Sequence, residues 1–150
     1  MEQSFVMLKP DAVQRKISGQ IISRFENKGL TLIAMKMLHI SEGLAQKHYG
    51  IHKGKPFYNS LINFITSSPV IATVWEGENA IKTIRNLVGA TNPQEATPGS
   101  IRGDFALNMT FNMIHASDGP DTAKSEISLF FNQDELQTYS PIINKWLVPE

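Results

Sequence analysis

The spacing of apolar residues switches between two periods along the chain, and each switch marks the edge of a short element. Residues 5–9 form an apolar-rich run ended by Pro10, which lacks an N–H and restricts its predecessor, and this predicts a first strand. Over 19–28 the apolar residues Ile21, Ile22 and Phe25 follow a helical stripe that Ile17 extends backwards and Gly29 closes. Residues 31–40 are apolar at most positions, the pattern of a strand covered on both faces. Ser41 is an N-cap candidate for a helix through Tyr49, and Pro56 stands where a first helical residue fits, with Phe57, Leu61, Ile62 and Ile65 behind it at helical spacing. These two helices predict a hairpin.

A β-branched run at 70–76 follows a Ser-Ser-Pro break and predicts a third strand, and 79–88 places Ala80, Ile81, Ile84, Leu87 and Val88 on one helical face. From 89 to 104 no period is visible and Pro93, Pro98, Gly99 and Gly103 interrupt the chain; loops this long usually carry function. Residues 106–115 read as a fourth strand, and Ala123, Ile127, Phe130 and Phe131 mark a last amphipathic helix. Beyond Asp134, the residues Tyr139, Ile142, Ile143, Trp146 and Leu147 predict a tail docked on a surface. With the hairpin set aside, the order is strand, helix, strand, strand, helix, strand. The expected fold is therefore α/β (α+β): a ferredoxin-like split βαβ sandwich, with a four-stranded antiparallel sheet, a helical hairpin insertion and a docked C-terminal tail. One domain, 1–150, accounts for the whole length.

Composition removes several functional classes. Cysteine is absent, which excludes disulfides and thiolate zinc sites and points to a reducing cytoplasm. Lys plus Arg equals Asp plus Glu at 14 each, so general affinity for nucleic acid has no electrostatic basis and any anion site must be local. Apolar runs such as 5–8 and 32–35 stop after four residues, far short of a membrane span, and the start MEQSFVMLKPD has no signal-peptide pattern. A cytoplasmic protein is expected. The sequence also lacks G-x-x-x-x-G-K-[ST], G-x-G-x-x-G and H-E-x-x-H.

Among the four histidines, His39 lies in an apolar strand and reads as structural, and His48 reads as a flank of Tyr49. His115 is set in Asn112-Met-Ile-His115-Ala-Ser117-Asp118-Gly119, an imidazole at a strand end among small and polar residues. A neutral imidazole can attack an electrophile through one ring nitrogen if another group fixes its tautomer. Glu126, flanking the apolar stripe of the last helix, is a candidate for that group; a surface carboxylate near a capped helix start is the other reading. Lys9, Arg85 and Arg102 each read singly as solvated charges, and jointly as cations gathered at strand ends and a long loop to bind phosphates. Phe57 is either a core residue or an exposed ring on which a base can stack, and Tyr49 is equally open.

Seven separated blocks in order then resemble one family. They are Phe5-Val-Met-Leu-Lys-Pro-Asp11 with Val13-Gln-Arg15, His48-Tyr49-x-x-His52, Lys55-Pro-Phe57, Pro69-Val with Val74-Trp-Glu-Gly77, Gly89-Ala-Thr-Asn-Pro93, Pro98-Gly-Ser-Ile-Arg-Gly-Asp104, and Asn112-x-x-His115-Ala-Ser-Asp118. The chain resembles the nucleoside diphosphate kinases over essentially its whole length. The resemblance implies a ping-pong enzyme in which His115 takes the terminal phosphate of a nucleoside triphosphate on Nδ1 and passes it to a different nucleoside diphosphate. It implies that Glu126 holds the other imidazole nitrogen and that Ser117 organises that carboxylate and the phosphate. Lys9, Arg85, Thr91 and Arg102 match phosphate ligands, Asn112 a ribose ligand, and Phe57 the platform for the base. Tyr49 and His52 match residues beside the phosphohistidine and the α-phosphate.

The resemblance further implies low base specificity, no metal site of the chain's own, and Mg2+ bound mainly through the nucleotide phosphates, with Asp118 at most a water-mediated contact. It implies no membrane or nucleic-acid partner and a homohexamer, with a homotetramer as the alternative. The departures are Thr110-Phe111 before the active-site motif, and Ala116, Gly119 and Ser100 in place of commoner Gly, Ser and Thr. A ferredoxin-like nucleic-acid-binding module and a catalytically dead nucleotide binder are the competing readings; zero net charge opposes the first and intact His115, Ser117 and Glu126 the second.

Overall fold

The computed structural model describes residues 1–149. Four strands, β1 (Glu2–Leu8), β2 (Thr31–Leu38), β3 (Val70–Gly77) and β4 (Ile114–Ala116), form one sheet in the order β2-β3-β1-β4. Every neighbouring pair is antiparallel, with Phe5 opposite Val74 and Met7 opposite His115. Among the described residues seven α-helices accompany them: α1 (Pro10–Gln14), α2 (Ser18–Lys28), α3 (Glu42–His48), α4 (Tyr58–Ile65), α5 (Ala80–Val88), α6 (Ile101–Phe105) and α7 (Pro120–Phe130). The split βαβ order expected from the sequence is the observed one.

The pleat of β1 divides the core. Phe5 and Met7 point into one apolar layer with Val74, Tyr49, Ile62, Ile127 and Phe130, under α3, α4 and α7. Val6 and Leu8 point into the other, with Ile21, Phe25, Trp75, Ile84, Met113 and Ile114, under α2 and α5. Because both faces are covered, β1 reads as a continuous apolar run, and its C-terminal end is held rigidly between two layers.

Several boundaries differ from expectation for identifiable reasons. Strand β1 starts earlier, at Glu2, and Pro10 opens the short helix α1 as its first residue as well as ending the strand. Ser41 does cap α3, accepting the Leu44 N–H at 3.1 Å, but α4 begins at Tyr58, two residues after Pro56. Strand β2 stops at Leu38 and is an edge strand, so Met35 and Met37 are 55% and 60% exposed instead of covered. His39 lies past its end and is exposed, with Nε2 2.6 Å from the Thr66 carbonyl, a structural contact but not a buried one.

The fourth strand, expected over 106–115, is only three residues long. Met113 has φ 73°, and the Ile114 N–H bonds back across it to the Asn112 carbonyl at 2.9 Å, a tight three-residue turn that no strand can contain. Before that turn, Leu107, Met109 and Phe111 are exposed, and the aperiodic stretch contains α6. The tail docks through Gln137, whose N–H reaches the Ile33 carbonyl at 2.8 Å, and through the Tyr139 hydroxyl, 2.8 Å from the Leu32 carbonyl. Farther on, Ile142 and Trp146 stay 88% and 78% exposed, so the docking expected of them does not occur within one chain.

Candidate active site

The neighbouring strands β1 and β4 and the long loop converge at the C-terminal end of β1. Lys9 follows the last residue of β1, its backbone N–H bonded to the Met113 carbonyl at 2.9 Å. Its Nζ donates to Asn112 Oδ1 at 2.9 Å, and Asn112 Nδ2 donates to the Thr91 carbonyl at 3.2 Å. Thus Lys9, Asn112 and Thr91, distant in sequence, are joined in one chain of hydrogen bonds. The Thr91 side chain is exposed.

The two arginines brace the residues on either side of His115. Arg85 in α5 donates to the Ala116 carbonyl at 3.2 Å, and Arg102 in α6 donates from Nη2 to the Ile114 carbonyl at 2.6 Å. Arg102 also donates to the carbonyls of Asn112 at 3.3 Å and Gly89 at 3.2 Å. The loop that delivers it is drawn in through two glycines. A Cβ at Gly103 would stand 2.0 Å from the Thr97 carbonyl oxygen, and Gly89 has φ 87° with no room beside Ser100. Ser100 caps α6 by accepting the Gly103 N–H at 3.1 Å, so serine supplies here what threonine would.

These cations perturb one another. Burial, then the charge of Arg102, lowers the Lys9 ammonium to about 8, with Asp11 opposing. Burial, then Arg85, lowers Arg102 to about 10. Such mutual repulsion is what cations gathered around an anion site produce. Asp11, which sequence reasoning passes over, has both carboxylate oxygens buried, and that burial raises its pKa against the opposing pull of neighbouring backbone N–H groups and of Lys9.

His115 sits in the middle of β4 with its side chain 25% exposed. Its Nε2 is hydrogen-bonded to Glu126 Oε2, and Oε1 of the same carboxylate accepts the Ser117 hydroxyl at 2.6 Å. Ser117 is itself pinned to β1, its N–H on the Phe5 carbonyl at 3.0 Å. Burial alone would raise Glu126, but the hydrogen bond and charge of His115, then the Ser117 hydrogen bond, hold its carboxyl below the usual range. An ionised carboxylate only accepts, so Nε2 carries the proton, and in the neutral form of the ring the lone pair is on Nδ1. Glu126 is buried, not at the surface, which resolves the two readings its position in the sequence leaves open.

The remaining candidates line a second branch. Tyr49 is buried, and its phenol is raised by burial and by Glu126. Its ring centroid lies 6.3 Å from His52, which lies 5.4 Å from Phe57. Phe57 is 47% exposed and is not the core residue its spacing allowed. His48 is more than a flank of Tyr49: its side chain is 2% exposed and its ring centroid is 4.7 Å from that of His115. The signal available in the sequence is its place in the His48-Tyr49-x-x-His52 block, which periodicity cannot interpret.

The chain matches the family model described as nucleoside diphosphate kinase over residues 2–136. A nucleoside diphosphate kinase of Methanobrevibacter smithii is 60% identical over 145 residues, covering 97% of each chain. One of Microcystis aeruginosa is 55% identical over 148 residues, covering 99% of each. Among solved structures, a halophilic nucleoside diphosphate kinase from Halobacterium salinarum in complex with CDP superposes with a TM-score of 0.96 at 46% identity, covering 99% of each chain. Agreement at this level over essentially the full length means that the chain belongs to the nucleoside diphosphate kinase family.

Proposed function

We propose that this chain performs its family's transfer of the γ-phosphate of a nucleoside triphosphate to a nucleoside diphosphate through His115, with Glu126 and Ser117 fixing the imidazole. The observation that carries this reading is the division of the ring: Nε2 is tied to Glu126 while Nδ1 has no hydrogen-bond partner among the described residues. The lone pair on Nδ1 attacks the γ-phosphorus, an N–P bond forms, the bond from phosphorus to the β,γ-bridging oxygen breaks, and the diphosphate leaves with that electron pair. The ring becomes a phosphorylated imidazolium whose Nε2–H faces the Glu126 anion. A β-phosphate oxygen of a second diphosphate then attacks the same phosphorus and returns the lone pair to Nδ1. Phosphoryl transfer asks mainly for in-line positioning and charge stabilisation, which Lys9, Arg85 and Arg102 supply around His115.

In this reading Thr91 joins the phosphate ligands, Asn112 bonds the ribose, Tyr49 and His52 flank the phosphates, and Phe57 stacks on the base. Stacking accepts any π-face, so base specificity is low. The donor atoms of His48, His115 and Glu126 lie within 4.8 Å of one another, but this nitrogen-rich set does not suit Mg2+, which prefers oxygen ligands. Mg2+ therefore fits on the nucleotide phosphates, where it would neutralise charge on the transferred group. The half-open edge of β2 with Met35 and Met37, and the exposed Ile142 and Trp146, support association of identical chains, as a homohexamer or alternatively a homotetramer, to be measured by sedimentation. No helix among the described residues is long and apolar enough to cross a membrane, and a cytoplasmic location is part of the same reading.

Incubation with γ-labelled ATP and Mg2+ tests it. An acid-labile, base-stable label on the wild-type chain and none on His115→Gln is expected, with the label lost on adding a second nucleoside diphosphate. A wild-type chain that takes no label, or a label retained in His115→Gln, would overturn the assignment.

A further inference from the structure

His48, the last residue of α3, has an almost fully buried side chain, yet both its ring nitrogens lack a hydrogen-bond partner among the described residues. That is a costly arrangement, since a phenyl ring would fill the same slot without burying two unsatisfied polar atoms. The surroundings are otherwise aromatic. The imidazole meets Tyr49 at 4.6 Å and Phe130 at 5.4 Å between centroids, both edge-on, and stands at 84° to the His115 ring. A polar partner within reach is Glu126. Nδ1 of His48 is 3.8 Å from Oε2, the same oxygen that receives Nε2–H of His115. A carboxylate oxygen has two lone-pair sites, and only one on Oε2 is in use.

We propose that His48 is a positioning residue: its Nδ1–H closes on Glu126 Oε2 as a second donor and, with Ser117 on Oε1, holds the carboxylate where it keeps the proton on His115 Nε2 and leaves Nδ1 as the nucleophile. Closure from 3.8 Å to about 3 Å is a small movement for a carboxylate at the middle of α7. The carboxylate is then gripped by three donors, His115 and His48 on Oε2 and Ser117 on Oε1, and the His115 ring is flanked by an edge-on neighbour that hinders rotation about its Cβ–Cγ bond. His48 acts through Glu126 and touches no nucleotide. Histidine is the residue the slot calls for because it combines a flat ring for packing with a ring N–H for the anion.

The inference rests on His115 being the phosphoryl carrier, and the test separates the two. In the wild-type chain free of phosphate, nitrogen chemical shifts should show His48 protonated on Nδ1 and His115 on Nε2. His48→Phe keeps the ring and removes the donor; it should bind ADP within twofold of wild type, lose at least about tenfold in the single-turnover rate of phosphorylation by ATP, and show a mixed His115 tautomer. His48→Gln, which restores a donor, should recover part of the rate. A His48 found protonated on Nε2 in the wild type would sink the proposal even if neither variant folds. So would a His48→Phe chain with wild-type rate, or one that is slow with an unchanged tautomer and is not rescued by Gln. A wild-type chain that takes no phosphate at all would instead remove the underlying assignment of His115.

Discussion

The two ends of the site are built to different standards. At the phosphate end, Arg102, Asn112, Ser117 and Glu126 are all buried, and each is fixed by hydrogen bonds to β1, to β4 or to the carbonyls of Gly89 and Thr91. At the outer end, Phe57, Lys55 and Ile51 are exposed, and the links are long: Lys55 Nζ is 3.4 Å from His52 Nδ1 and 5.8 Å from the Phe57 centroid. Under the proposed roles the contrast follows from the chemistry asked of each end. Charge stabilisation of a transferring phosphoryl group requires donors that need no reorganisation, whereas a stacking surface that must take any base gains nothing from a tight mould.

Removing Arg102 should break the contrast most severely. In Arg102→Ala the carbonyls of Gly89, Asn112 and Ile114 lose a charged donor together, so unfolding free energy should drop by roughly 3 kcal/mol, read from urea midpoints. Phosphorylation of His115 should become unmeasurable on the time scale of wild-type turnover. Arg85→Ala, which frees a single carbonyl, should cost activity with far less stability. If Arg102→Ala were as stable as wild type, the phosphate end would not owe its rigidity to this guanidinium.

How much of this can be read from the chain depends on whether a signal is local. The sandwich follows from local pattern because β1 is an unbroken apolar run and the stripes of α2, α5 and α7 repeat within a few residues. Strand four is overdrawn because the Met113 turn places a bulky residue at positive φ, which no residue preference announces. Edge exposure of Met35 and Met37 is likewise set by strand order, a property of the whole sheet. For the site, residue types at strand ends suggest phosphate chemistry, and the family resemblance supplies roles. Contact between His48 and Glu126 is illegible in the sequence, since they lie on different elements and meet only when α3 and α7 pack on the same face.

The next effect is a pH limb. In the free enzyme, burial and Arg102 place Lys9 at about 8, so its charge is lost as pH rises through that value. If the charged form attracts phosphate as proposed, kcat/KM for ATP should be level about a unit or more below pH 8, halve near pH 8 and approach a tenfold fall per unit well above it. Bound polyphosphate favours the ammonium, so the same limb in kcat should move to higher pH. Unfolding does not imitate this. The lysine value is about 8 in the folded chain against 10.5 for an unperturbed lysine, so between those values the unfolded chain binds more protons and this group adds stability as pH rises. Lys9→Arg should flatten the kcat/KM limb; an unchanged limb would assign it to another group.

The smallest effect is expected where the site is loosest. Phe57 is nearly half exposed and makes no hydrogen bond to the phosphate end, so Phe57→Ala should leave the melting temperature within a degree or so of wild type. Stacking on an aromatic ring contributes about 1–3 kcal/mol per base, and an exposed ring with one free face belongs at the lower limit. KM should therefore rise roughly fivefold, equivalent to about 1 kcal/mol, for purine and pyrimidine nucleotides alike, with kcat changed much less. That split follows from uniform binding, because the base does not move as phosphorus transfers and its contacts are equal in ground and transition states. A large loss of kcat on removing this ring would mean that the platform feeds orientation into the transfer itself, and the division between a rigid end and an accommodating one would have to be redrawn.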